Sequence, residues 1–175
     1  VKIVFSDSRD PSDPKEETLH YTGGIRSFVT HIHTRKQLEV LHEDVIYLAG
    51  VSGDATVEIA MQYNESYNEV ILSFANNIHT VEGGTHETGF KNALTRVFND
   101  YCKKFNLIKE ADKKLMGEDV REGLTAVISI KLPECEFEGQ TKGKLGNPEV
   151  RPIVENLVNE KLMTYFEENP AVARN

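Results

Sequence analysis

From Thr56 to Tyr63 apolar and polar residues alternate: Val57, Ile59, Met61 and Tyr63 fall on one side of an extended chain, Thr56, Glu58 and Gln62 on the other. A period of two fits a strand with one buried face and does not fit a helix. Similar segments flank it, Val45–Val51 before and Glu69–Ala75 after, set off by the turn residues Ser52-Gly53-Asp54 and by Asn64–Asn68. Connections this short predict an antiparallel meander.

The period then changes. Phe90, Leu94, Val97, Phe98, Tyr101 and Phe105 recur at helical spacing and predict a helix from about Thr85 to Phe105. Thr85 suits its N-cap, and Glu87 suits the positive end of its dipole. Leu124–Leu132 is a β-rich run ended by Pro133. A last helix begins near Pro148, carries Val150, Ile153, Val154, Leu157, Val158, Leu162, Tyr165 and Phe166 on one side, and stops at Pro170. Upstream, Val1–Phe5 and Glu16–Thr22 read as strands. Gly23-Gly24 opens a helix bearing Ile25, Phe28, Val29 and Ile32, and Thr34–Asp44 is polar and irregular. Glu118–Glu122 makes a helical turn that Gly123 ends. Strand hairpins first, then helices separated by one more strand, argue for an α+β fold whose sheet is backed by helices on one face. At 175 residues the chain fits one domain, or one domain with a short piece of a neighbour.

Composition removes several function classes. No apolar run approaches the roughly 18 residues of a membrane-spanning helix, and Val1–Phe5 reads as a strand rather than as a secretory signal. Cys102 and Cys135 are too few and too scattered for a disulfide framework or a zinc site and suit a reducing compartment, so a cytoplasmic protein is expected. His31 and His33, two apart, diverge on a helix and have no ligand at metal spacing; no metal site is expected. The net charge of −8 lacks the basic footprint of a domain that holds nucleic acid by itself. Any DNA contact needs a local patch or basic surface from other domains.

Three places carry candidate chemistry. In Glu138-Gly139-Gln140-Thr141-Lys142-Gly143-Lys144-Leu145-Gly146, Lys142 offers a point charge and Gln140 a donor amide, both suited to phosphate oxygens. The surrounding glycines permit close approach and hinge motion. The same residues also serve as an ordinary solvated loop, and no Walker-type or G-x-G-x-x-G cradle accompanies them. A lone loop lysine more plausibly completes a site built elsewhere. Glu82-Gly83-Gly84-Thr85-His86 meets a helix N-terminus, a potential anion site or simply a turn and cap. Lys91 and Arg96, with Lys103 and Lys104, form either a basic stripe or a solvated helix face.

In order along the chain, Tyr21-Thr22-Gly23-Gly24-Ile25, then Gly83-Gly84-Thr85-His86 with Gly89-Phe90 and Ala93-Leu94-Thr95-Arg96, then Gly117-Glu118-Asp119-Val120-Arg121-Glu122-Gly123-Leu124, and finally Gln140-Thr141-Lys142 resemble the transducer domain of the bacterial gyrase B family of type II DNA topoisomerases. The likeness covers essentially the whole chain. The equivalent subunit of topoisomerase IV fits nearly as well.

The resemblance implies a ribosomal-protein-S5 domain 2-like fold with a mixed sheet. It implies that residues 1–20 are closing strands of a preceding ATP-binding domain, that residues 21–175 are the transducer, and that the chain stops short of a metal-binding cleavage domain. It gives Lys142 a contact to the γ-phosphate of ATP, bound with Mg2+ mainly by the missing domain, and a catalytic role; Gln140 assists. It places Lys91 toward a cavity through which DNA passes, where some relatives carry arginine; lysine keeps the charge but loses the bidentate fork. The implied enzyme is an ATP-hydrolysing isomerase, and its partners are DNA, gyrase A and, on ATP binding, a second copy of gyrase B. The family's ATP-binding Asn and general-base Glu have no counterpart, so this piece alone is expected neither to hydrolyse ATP nor to hold it. The competing classes are a mismatch-repair ATPase domain, disfavoured by the Gly-Gly-Thr-His and Arg-Glu-Gly-Leu segments, and an S5-like RNA-binding module, disfavoured by the acidic balance.

Overall fold

The structure is a computed structural model and describes residues 2–7, 15–20, 23–107 and 114–174. Tyr21 and Thr22 of the first motif lie outside the described residues. In chain order the elements are β1 (Lys2–Asp7), β2 (Lys15–His20), α1 (Gly24–Lys36), β3 (Ile46–Ser52), β4 (Ala55–Tyr63), β5 (Val70–Ala75), β6 (Ile78–His79), α2 (Thr85–Lys104), α3 (Gly117–Arg121), β7 (Leu124–Lys131), β8 (Phe137–Glu138), β9 (Lys144–Leu145), α4 (Val150–Glu168) and α5 (Pro170–Arg174). The α+β class and the mixed sheet follow the expectation. Pro170 ends α4 but also opens α5, and α1 runs on through Thr34, Arg35 and Lys36 into the stretch expected to be irregular.

The central sheet has the order β3-β4-β7-β5-β6. This corrects the meander: β3 and β4 form the expected hairpin, but β5 does not pair with β4. β7 lies between them, antiparallel to β4 (Ile59 opposite Ile128) and parallel to β5 (Leu72 opposite Val127). The reason lies in β7 itself. Every residue from Leu124 to Ile130 is buried, and a strand apolar on both faces belongs at the centre of a sheet, covered on both sides. The parallel β5–β7 pair needs a long crossover, which α2 and α3 supply.

On one face Val57, Ile59 and Met61 of β4 and Ala126, Ile128 and Ile130 of β7 meet Phe90, Leu94 and Val97 of α2 and Val154, Val158 and Leu162 of α4. The two helices approach so closely at Gly89 that a Cβ there would lie 2.7 Å from the Arg151 carbonyl oxygen. At one end of this layer Phe98, Tyr101 and Phe166 pack edge-to-face, with centroids 5.0 Å (Phe98–Phe166) and 5.5 Å (Tyr101–Phe166) apart. The opposite face is covered by α1, where Val29 and Ile32 meet Ala60 and Val127.

At the end of α1 a buried polar network joins it to the sheet. His33 Nδ1–H donates to Gln62 Oε1 (3.0 Å), and Gln62 Nε2 donates to the carbonyls of His42 (2.7 Å) and Glu43 (3.1 Å). Asn64 Nδ2 donates to Thr125 Oγ1 (3.2 Å) and faces His33 Nε2 at 3.3 Å, so His33 is neutral with its proton on Nδ1. Burial lowers the pKa of both His33 and His42. His31 is exposed, so the two helical histidines diverge as their spacing requires.

β1 and β2 pair antiparallel in a sheet of their own, Lys2 opposite His20 and Asp7 opposite Lys15. No helix among the described residues is long and apolar enough to cross a membrane.

Candidate functional site

The Gln140–Lys142 loop is the tip of a small hairpin. β8 and β9 pair with Phe137 opposite Leu145 and Glu138 opposite Lys144, and the Lys144 ammonium reaches the Glu138 carboxylate at 2.8 Å. Gly139 (φ +78°) and Lys142 (φ +53°) both take the left-handed conformation that closes the loop. For glycine this costs nothing steric. For lysine it costs about 1 kcal/mol, which the surrounding structure must hold in place.

Tip and stem differ sharply. Gln140, Thr141 and Lys142 are exposed, whereas Gly143 and Leu145 are buried, Leu145 within the main core. Asn147 ties down the stem: its Oδ1 accepts from Glu136 N (2.7 Å), and its Nδ2 donates to the Glu134 carbonyl (3.2 Å) and to Glu149 Oε1 (2.8 Å). The loop thus presents a long-stemmed cation and an amide at the end of a fixed base. Among the described residues no ion pair engages Lys142. An exposed ammonium beside an amide can bind an oxyanion, but a single tip cannot enclose one.

The stem rests on the Glu82–His86 segment, which is remote from it in sequence. Glu82 N–H donates to the Gly143 carbonyl (2.9 Å), Leu145 N–H donates to the Gly83 carbonyl (3.1 Å), and Gly84 and Leu145 form a parallel bridge. Directly after Gly84, α2 begins. The turn before it is fixed by a cluster of hydroxyls: Ser73 Oγ lies 2.8 Å from Thr80 Oγ1 and 3.0 Å from Glu87 Oε2, and Thr80 Oγ1 donates to the Ser73 carbonyl at 2.8 Å. With that proton committed, His86 Nε2–H donates to Thr80 Oγ1 (3.0 Å), and His86 is fully buried. Thr85 serves as the first residue of α2; the N-cap position belongs to Gly84, which has no side chain to cap with.

Burial lowers the His86 pKa from 6.5 to about 4, although the Glu87 charge opposes the shift. An unfolded His86 takes up its proton near pH 6.5 while the folded one resists until about pH 4, so the unfolded state binds more protons in between. Stability is therefore expected to fall as pH drops from 6.5 toward 4, by about 3 kcal/mol from His86 alone, with His33 and His42 adding in the same direction. Thermal unfolding of the 175-residue chain between pH 7 and pH 4.5 measures this. His86→Gln, which carries no proton over that range, should flatten the slope; an unchanged slope would remove His86 as its source.

Lys91 lies on α2 about 9 Å along the helix axis from Thr85. Its ammonium is 2.8 Å from Glu87 Oε1 and 3.8 Å from Glu69 Oε1, and Glu69 Oε2 accepts from Arg121 Nε at 2.6 Å. Arg96 pairs with Asp100 and Lys104 with Glu167, while among the described residues no ion pair engages Lys103. Of the two readings of these cations, a solvated, ion-paired helix face fits Lys91, Arg96 and Lys104 better than a basic stripe. The sequence signal for the Lys91 pair was available as Glu87 four residues before it on the helix; Glu69 and Arg121, distant in the chain, gave none. Among the described residues no group of His, Cys, Asp and Glu is placed to hold a metal ion.

A family model described as DNA gyrase B matches residues 24–175. The chain is 56% identical over 175 residues to the DNA gyrase B protein of Clostridium acetobutylicum, covering 99% of this chain and 27% of the relative. It is 53% identical over 174 residues to the DNA gyrase B protein of Bacillus mycoides, covering 99% and 42%. The chain therefore spans less than half of the length of these curated relatives. Among solved structures, the 43K ATPase domain of Thermus thermophilus gyrase B in complex with an aminocoumarin superposes with a TM-score of 0.86 at 40% identity, over 99% of this chain and 45% of that one. The topoisomerase IV ATP binding domain of Francisella tularensis gives 0.76 at 27% identity, over 99% and 45%.

Proposed function

The chain belongs to the DNA gyrase B family, and we propose that within the longer protein residues 21–175 are the transducer domain, which couples ATP binding and hydrolysis to dimer closure and DNA strand passage. The observation that carries this reading is the β8–β9 hairpin, a cationic tip on a stem buried against the start of α2. Residues 1–20 belong to the preceding ATP-binding domain; their pairing in a sheet separate from the central one supports that division.

ATP, with Mg2+, is held mainly by groups outside this chain. Lys142 meets its γ-phosphate, and Gln140 adds an amide donor. A charge-assisted hydrogen bond contributes about 1.5–3 kcal/mol. A contact present with triphosphate and lost with diphosphate can therefore bias a domain arrangement by roughly ten- to a hundredfold. During hydrolysis the same ammonium counters charge developing on the phosphoryl oxygens. The assembly acts as an ATP-driven isomerase of DNA in the cytoplasm, with gyrase A and a second copy of gyrase B as its protein partners.

The contact with DNA runs through Lys91. Its ammonium is already shared by Glu87 and Glu69, so a passing phosphate must compete with them. Lys91→Glu would crowd three carboxylates together, so Lys91→Gln is the cleaner probe. In the full-length protein in complex with gyrase A, Lys91→Gln is expected to lower the DNA-stimulated ATPase on the order of tenfold while basal ATPase stays near normal. Equal loss of both rates would exclude a DNA role for Lys91.

A further inference from the structure

We propose that Gly84 is a positioning residue for Lys142, setting where the cationic tip stands relative to α2. The proposal rests on the reading of Lys142 as the γ-phosphate contact. Gly84 has φ +141° and ψ −164°, a backbone conformation that side-chain-bearing residues rarely adopt. A Cβ at this position would fall 2.4 Å from the Leu145 carbonyl oxygen, 2.6 Å from its nitrogen and 2.8 Å from its Cβ. Those contacts are with backbone and a buried side chain, so they cannot be relieved by swinging a flexible group aside. Relief requires the strand β9 to withdraw.

Withdrawal would break the two backbone bonds that seat the hairpin, Leu145 N–H to the Gly83 carbonyl and Glu82 N–H to the Gly143 carbonyl. Gly143 directly follows Lys142, so the error passes straight to the tip. The same seat is the first step of α2, which carries Lys91. Tip and helix therefore move as one piece while Gly84 is glycine, and a displacement of the tip is transmitted to the helix that bears the DNA-facing cation. A shift near 1 Å at a positioned group can cost about a hundredfold in rate.

The test is a double-mutant cycle in the full-length protein, with turnover and binding of a non-hydrolysable ATP analogue measured separately. Gly84→Ala is expected to lower kcat by about ten- to a hundredfold with analogue affinity little changed. In a Lys142→Ala background the same substitution should lower kcat no further, because it acts through a group already removed. Losses that multiply would mark Gly84 as merely structural and overturn the proposal, as would wild-type turnover in Gly84→Ala. Should Gly84→Ala fail to fold, Gly83→Ala is the gentler probe of the same seat. It is strained at φ +74°, but its new methyl meets the Glu87 carboxylate, at 2.9 Å, rather than β9. Because Ser73 and Lys91 hold that carboxylate, Glu87→Gln serves as the control for its displacement. It should show a smaller loss of kcat that likewise disappears in the Lys142→Ala background; a loss that persists there overturns the proposal. Near-normal turnover in Lys142→Ala alone would instead refute the γ-phosphate reading.

Discussion

Lys142→Ala in the full-length protein is expected to cut ATP turnover by about a hundredfold or more while changing affinity for a non-hydrolysable ATP analogue far less, since losing one preorganised donor at a charge-developing site costs about 10²–10³ in rate. The structure makes the experiment clean. Lys142 is exposed at the hairpin tip, and its removal breaks no ion pair among the described residues. The stem is held by backbone bonds to Glu82 and Gly83 and by Asn147, none of which involves the Lys142 side chain. A loss of turnover therefore cannot be traced to a collapsed hairpin. Lys142→Gly sharpens the test. It removes the same charge but relieves the left-handed strain at φ +53°, so it should lose as much turnover while leaving the loop no less stable. Near-normal turnover in either variant would take Lys142 out of the mechanism.

Phe166→Ala is expected to destabilise the 175-residue chain by about 3–5 kcal/mol, the range for a large aromatic truncated in a packed core. Phe166 is only 1% exposed and makes edge-to-face contacts with both Phe98 and Tyr101 of α2. It also borders a cavity of about 220 Å³ together with Tyr63, Leu115, Val120 and Val172. The space left by the ring would join that cavity, which limits how far neighbours can collapse to fill it. Urea unfolding gives the loss directly. Phe105→Ala, at a ring 40% exposed, serves as the comparison and should cost much less. Similar costs at the two sites would show that the aromatic cluster does not hold α2 and α4 together.

Much of this architecture can be read from residue periods. The alternation in β4 placed Val57, Ile59 and Met61 on one face, where they now lie in the core. The helical spacing of Phe90, Leu94 and Val97, and of Val154, Val158 and Leu162, identified the two helices that cover that face. What periodicity did not convey was strand order. β4 and β5 are neighbours in sequence with a short link, yet β7 separates them, because burying its two apolar faces outweighs the convenience of a local hairpin. The short strands β6, β8 and β9 are not legible in the sequence for a related reason. Two residues carry no period, and their pairing depends on partners elsewhere in the chain.

The site divides in the same way. The residues Gln140, Thr141 and Lys142 with their flanking glycines, the Gly83-Gly84-Thr85-His86 turn and the amphipathic α2 are local features, set by residue type and spacing, and they sufficed to point to a family and to a cationic contact. Their meeting is not local. That Leu145 rests on Gly84, that Lys91 is held between Glu87 and Glu69, and that α1 covers the face opposite α2 and α4 were decided only by the tertiary structure. The physical reason is that side-chain chemistry and backbone propensity act over a few residues. Backbone approach across a glycine, and the pairing of charges far apart in sequence, exist only once burial of β7 has fixed which segments lie side by side.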